Sequence, residues 1–149
     1  MRSRGTKAHD DGVITAADVI PVLLEACPSF RARWAAYVAD PMYDEPLLYV
    51  HLGEFARHVV ELLKSRSTGE FAAVFDAVER LHIEGDSYVK EAATIGLLEG
   101  LQNAAGHADL DPDAFVSYLK PESARWWAEL DGFWAGTLPY VGAGLKRES

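Results

Sequence analysis

The stretch Ser87–Ala104, SYVKEAATIGLLEGLQNA, decides how the whole chain is read. Val89, Ala92, Ala93, Ile95, Leu97, Leu98 and Leu101 spread around most of a helical circumference. A helix that is apolar nearly all round is one that other elements bury. Ala92, Gly96, Gly100 and Ala104 recur at every fourth position as a ridge of small residues. Each interior glycine costs roughly 1 kcal/mol relative to alanine, which is tolerated where a second helix must come very close. The stretch predicts the central helix of an all-α fold.

Helix signals continue on both sides of it. Upstream, Ile83-Glu84-Gly85-Asp86 reads as a tight turn between antiparallel neighbours, with Gly85 ending one helix and Asp86 capping the next. Phe71, Val74, Phe75, Val78, Leu81 and His82 draw one face of the preceding helix, which Ser67, Thr68 and Gly69 separate from an earlier one. That earlier helix is expected to start at Asp44-Glu45-Pro46, with acid at the positive end of its dipole, and to reach about Arg66. Ser29 should cap a helix ending before Pro41. Thr15 and Asp18 should cap the first, although Pro21 leaves its start ambiguous. Downstream, Asp111-Pro112 and Lys120-Pro121-Glu122 open two further helices. The second of these carries Trp126, Trp127, Leu130, Phe133 and Trp134 as a stripe. The expectation is an all-α, single-domain irregular bundle of about six or seven helices with helix 87–104 central. A flexible basic leader is expected at 1–12, the domain at 13–140 and a tail at 141–149.

The chain has 149 residues, a formal charge of −9 and an isoelectric point near 4.9. Its first seven residues hold Arg2, Arg4 and Lys7 and no acid, so the body is more acidic than the total. That balance argues against nucleic-acid binding, which needs Lys and Arg on phosphates. No window of the sequence is apolar enough to cross a bilayer, and no apolar segment follows the basic residues as a signal peptide requires. The single cysteine, Cys27, excludes an internal disulfide and fits a cytoplasmic location.

Catalytic signatures are absent: the sequence holds no Walker loop, GxGxxG, HExxH or nucleophile elbow. The nearest thing to a chemical constellation is His51, Glu54, His58 and Glu61, which share one arc of a helix. His51, Glu54 and His58 are the candidate metal ligands, because imidazole and carboxylate at such spacings hold divalent ions in helical bundles. The simpler reading is a polar border stabilised by Glu54–His58 pairing. Cys27 reads as a lone buried thiol. No catalytic residue and no cofactor are assigned. The acidic residues Glu84 and Asp86, and Asp109, Asp111 and Asp113, complement helix dipoles, and they could also steer a basic protein partner. Those five, with Trp127 as an aromatic anchor, are the candidate contact residues. Trp127 and Trp134 sit on one edge of the stripe and are expected to stay partly exposed. The apolar stripes also leave room for a homodimer.

Several motifs occur together in one order: Phe71…Phe75…Val78-Glu79…Leu81, Gly85-Asp86-x-x-Val89, and Gly96-Leu97-Leu98-Glu99-x-Leu101-Gln102-Asn103. Leu119-x-Pro121-Glu122-Ser123, Trp126-Trp127-x-x-Leu130 and Phe133-Trp134 follow. Over residues 44–135 the chain resembles an uncharacterised family of small bacterial all-helical proteins, some of whose relatives look like immunity proteins beside secreted toxins. The resemblance implies a non-catalytic protein-binding module, most concretely an inhibitor of a basic toxin domain. It carries no role for Glu99, Gln102 or Asn103. The alternatives are a metal-dependent helical-bundle enzyme using His51, Glu54 and His58, and a small-molecule-binding self-resistance protein with a tryptophan-lined pocket.

Overall fold

The computed structural model describes residues 12–134. The leader as far as residue 11, the tail at 141–149 and the side chains of Phe133 and Trp134 lie outside the described residues. In chain order the elements are α1 (Ala16–Ala26), α2 (Phe30–Ala39), α3 (Leu48–Lys64), α4 (Phe71–Glu84), α5 (Ser87–Glu91), a π-helical segment (Ala92–Leu98), α6 (Glu99–His107), a 3-10 helix (Pro112–Tyr118) and α7 (Pro121–Trp134). The fold is all-α, and among the described residues extended pairing is limited to a bridge between Ile14 and Gly85. No helix among them is long and apolar enough to cross a membrane.

Helix α5, the π-helical segment and α6 follow one another without a break, so the expected central helix runs from 87 to 107. Its small-residue ridge does what the spacing requires. A Cβ on Gly96 would lie 2.9 Å from Tyr49 Cδ1 and 3.1 Å from Leu52 Cδ1, and one on Gly100 would lie 3.2 Å from Ala56 Cβ. Both glycines admit α3, and contacts that climb from 52 to 56 as they climb from 96 to 100 set the two helices side by side in the same direction. The π-helical turn was not legible in the sequence. Within it Ala92, Ala93, Thr94, Leu97 and Leu98 are all buried, and Glu99 N–H donates to Thr94 O, five residues back. Phe30, Phe55, Phe71, Phe75 and Phe115 are fully buried around this axis, with Phe30 edge-on to Phe55 at 4.9 Å between centroids.

The helix ends show which sequence signals act. Thr15 and Asp18 form the expected capping box on α1, and Pro21 sits inside that helix rather than in its first turn. Helix α3 starts at Leu48, four residues later than the Asp44 start expected. Glu45 has φ +56°, a left-handed conformation that no helical residue adopts, and Pro46 follows it. Arg66 (φ +61°) ends α3, with Ser67 N–H bonded to Leu62 O and Arg66 N–H to Leu63 O.

Two helices are capped by carboxylates from a neighbour. Glu70 accepts from the Ser29 N–H and hydroxyl at the start of α2. Glu79 of α4 accepts from Glu122 N–H, Ser123 N–H and the Ser123 hydroxyl at the start of α7, each at 2.8–2.9 Å. Burial raises the Glu79 carboxyl, and those three donors outweigh it and hold the group below its ordinary range.

Candidate functional site

The His/Glu stripe of α3 faces α2, and each member already has a partner. His51 Nδ1 lies 3.0 Å from the Tyr37 hydroxyl and stands edge-on to Trp34. Glu54 holds Arg33 at 2.6 Å and Arg57 at 2.9 Å. Burial raises its carboxyl, but the two guanidinium groups hold it below the usual range. His58 Nε2 is 2.9 Å from Ser29 Oγ. Burial lowers both histidines, which therefore stay neutral at physiological pH. Among the described residues no group of three or more His, Cys, Asp and Glu comes close enough to hold a metal ion.

A Ser–His–Glu arrangement at this seam has the wrong polarity for a nucleophile. The Ser29 hydroxyl donates to Glu70 at 2.7 Å, so its lone pair faces His58; a catalytic serine gives its proton to the histidine. Cys27 donates its thiol to the same carboxylate. Burial, with Glu70 beside it, pushes the thiol up to about 12. The cysteine is fully buried and inert, as its sequence context indicated.

The partner-contact candidates separate into three groups. Glu84 pairs with Arg80 at 3.4 Å, and Asp86 caps α5 by accepting Val89 N–H at 2.8 Å. Asp109 ends α6: it has φ +61°, with Leu110 N–H on Ala105 O and Asp109 N–H on Gly106 O. Trp127 contradicts its expected exposure. It is 3% exposed and packs against Phe115 at 6.4 Å between centroids. The Glu79 cap draws Ser123 inside, and Ser123, Trp127 and Leu130, at helical spacing, become the inner face of α7. Trp126 takes the half-buried edge, under the Arg125 guanidinium.

Asp111 and Asp113 behave differently. They face Gln102, Asn103, Pro112 and Asp131 around a cavity of about 390 Å³ at the C-terminal end of the central helix. Asp111 Oδ1 caps the 3-10 helix through Asp113 N–H; among the described residues, none of the three carboxylates enters an ion pair and no base lines the cavity. Gln102 is only 8% exposed. Its Nε2 donates to Asp131 Oδ1 at 3.3 Å, and its Oε1 has no donor. Burial and the charge of Asp113 raise the Asp131 carboxyl. Gln102 and Asp131 went unassigned in the sequence reading. The available signal was that Gln102 sits in a helix that is apolar around most of its circumference, where a polar side chain calls for an explanation.

A second groove, of about 620 Å³, runs between α3 and α6 over Gly53, Gly96 and Gly100. Glu99 lines it, raised by burial alone, and has no ion pair among the described residues. Asn103 borders both cavities, and among the described residues no tryptophan lines either one.

Residues 20–135 match the model of a domain of unknown function, DUF7674. The match extends the resemblance, which began at residue 44, back to residue 20 and so brings α2 and most of α1 into the same unit. No curated protein and no solved structure matches the chain.

Proposed function

The chain belongs to DUF7674, a domain family of unknown function, so its role has to come from its own site, and we propose that it is a non-catalytic protein-binding module. In its most concrete form it is an immunity-type inhibitor of a basic toxin domain, acting in the cytoplasm of a bacterial cell. One observation carries the reading: Asp111, Asp113 and Asp131 line one cavity that no base among the described residues lines, on a scaffold in which His51, His58, His82, Glu54 and Glu79 already have partners. Such a site recognises positive charge, and the acidic excess of the chain favours encounter with a basic surface. The resemblance to immunity proteins points the same way. A stoichiometric inhibitor needs a rigid body and a charge-complementary face rather than a catalytic group.

The test begins with the domain encoded beside this gene. Co-expressed with it, the chain should form a stable complex and suppress its toxicity. Association should slow steeply as salt rises from low to physiological ionic strength. An association rate indifferent to salt would sink the electrostatic reading.

A further inference from the structure

Large apolar side chains left in water gather at one place on the molecule. Of the seven exposed among the described residues, four, Val38, Met42, Leu47 and Val50, fall between the end of α2 and the first turn of α3. Met42 is 86% exposed and Leu47 is 73% exposed. Single apolar residues scattered over a surface need no explanation, whereas a gathered group marks an interaction site. Met42 and Val50, with Ala36, Tyr37, Tyr43 and Pro46, line a groove of about 610 Å³ between α2, the 40–47 loop and α3. Internal contacts fix its walls. Asp40 Oδ1 accepts Met42 N–H at 2.8 Å, Asp40 O accepts Tyr43 N–H at 2.8 Å, and the Tyr43 ring stands edge-on to Tyr37 at 5.3 Å between centroids.

Charge decides what can cover this groove. Asp40 and Asp44 line it, and Glu45 is exposed beside them. Among the described residues the base that lines it is Arg33, which is taken by Glu54 at 2.6 Å and Glu61 at 3.3 Å. Asp40 and Asp44 therefore have no ion pair among the described residues. A second copy of the chain would close the patch about a two-fold axis, which sets the same surface against itself. The acids would then meet their own copies, and like charges facing across an interface disfavour it. Anionic lipid headgroups would repel them in the same way. An apolar groove with an acidic rim calls for an apolar group with a basic border.

We propose that the groove seats a bulky apolar side chain flanked by lysine or arginine and presented by a protein partner, with Met42, Tyr37 and Tyr43 around the side chain and Asp40 and Asp44 on the bases. The inference rests on the protein-binding reading above and adds an apolar anchor site to it. Burial of the anchor supplies affinity, while the rim charges supply orientation and encounter rate. An aromatic anchor suits the walls best, since a methionine thioether and tyrosine rings both make favourable contacts with an aromatic ring.

The test uses the full chain, with the Met42 and Val50 methyl signals followed by NMR during titration with three capped pentapeptides. These are Lys-Gly-Phe-Gly-Lys, Glu-Gly-Phe-Gly-Glu and Lys-Gly-Ser-Gly-Lys. The first should shift both methyl signals saturably. It should bind at least about tenfold tighter than the serine peptide, which has no anchor to bury. It should bind at least about threefold tighter than the glutamate peptide, whose charges meet Asp40 and Asp44 as repulsion. Met42→Gln combined with Val50→Thr should weaken it about tenfold, and Asp44→Asn about threefold. Melting temperatures should not move, because all three side chains are exposed. Val116→Thr, at an exposed apolar position on the 3-10 helix, should leave binding unchanged. No saturable shift, equal affinity for the lysine–phenylalanine peptide and either control, or full binding by the Met42→Gln/Val50→Thr protein overturns the proposal. A dimer in sedimentation that this pair of substitutions dissolves would overturn it in favour of a second copy. Shifts of the same methyl signals by phosphatidylcholine vesicles would overturn it in favour of a membrane surface.

Failure here is separable from failure of the broader reading. A basic partner that binds wild type and the Met42→Gln/Val50→Thr protein equally well removes the groove and keeps the protein-binding role. A lysine–phenylalanine peptide that docks as described, beside a neighbouring domain that forms no complex with the chain, does the reverse.

Discussion

The two ends of the central helix carry similar acid and put it to opposite uses. At the N-terminal end, Glu84 pairs with Arg80, Asp86 caps α5, and the backbone of the turn is tied to the start of the chain. Ile14 N–H donates to Glu84 O at 2.8 Å and Asp86 N–H to Ile14 O at 2.9 Å. At the C-terminal end, Asp111, Asp113 and Asp131 line a cavity that no base among the described residues lines. The 20 intervening steps from 87 to 107 separate the ends by roughly 30 Å, so the two acidic segments cannot form one face. In sequence they look alike. What distinguishes them is that the carboxylates of the C-terminal end are gathered from two elements around one cavity, and that is a property of packing.

The sharpest way to probe the contrast is to damage the N-terminal turn. Gly85 has an ordinary negative φ, so its conformation does not demand glycine. Space does: a Cβ there would lie 2.5 Å from Leu81 O and 2.5 Å from Val89 Cγ1. Gly85→Ala should therefore cost about 3 kcal/mol, because a backbone oxygen cannot move aside as a flexible side chain can. Asp86→Ala, which removes the cap on Val89 N–H, should cost about 1 kcal/mol. Urea unfolding would measure both. A Gly85→Ala protein as stable as wild type would show that the turn is looser than its contacts imply.

The same contrast explains how far the sequence could be read. Period and punctuation were enough for the central helix, for the α4–α5 turn and for the Thr15–Asp18 capping box, because each is a local rule satisfied locally. The start of α3 was misplaced because Asp44-Glu45-Pro46 is an equally good helix opening on local grounds, and only the left-handed Glu45 shows that it is not used. The site was harder still. The histidine stripe looked chemical because its partners Arg33, Tyr37 and Ser29 are on another helix, and no spacing within α3 reveals that α2 satisfies it. Trp127 looked exposable because the pull of Glu79 on Ser123 comes from 44 residues away. Conversely, Asp131 looked like ordinary surface acid until α7 placed it beside Gln102 and Asp113.

Acidification should act on the two ends with opposite signs. His82, near the N-terminal turn, is buried with Nδ1 on Val78 O and Nε2 3.1 Å from Thr94 Oγ1. Burial lowers its pKa in the fold, although the Val78 carbonyl and the charges of Glu79 and Glu122 oppose it. An unfolded histidine titrates near 6.5, so the unfolded chain takes up the proton first. Stability should then fall as pH drops from about 6.5 toward the lowered folded value, with His51 and His58 adding the same sign. Asp131 runs the other way. Its folded pKa is raised, so the folded state takes up the proton first and the destabilisation present at neutral pH is relieved as pH falls. The melting temperature of wild type should decline below about pH 6.5, while any advantage of Asp131→Asn over wild type shrinks with acid. A melting temperature flat from pH 7 to 5 would contradict the neutral, buried state assigned to His82.

The smallest expected effect is the most informative. Asp131→Asn removes a carboxylate crowded by burial and by Asp113, and the new side-chain oxygen can still accept the Gln102 amide. Asp131 is exposed, so solvent screens the repulsion and the gain in stability at neutral pH should stay within about 0.5 kcal/mol. Asp113→Asn should behave alike. Neither carboxylate enters an ion pair among the described residues, so its removal should leave melting almost untouched. If either substitution instead cost as much as Asp86→Ala, the carboxylates at this end would be structural too. The two ends would then differ only in which donors they use, and the case for a binding cavity would lose its physical basis.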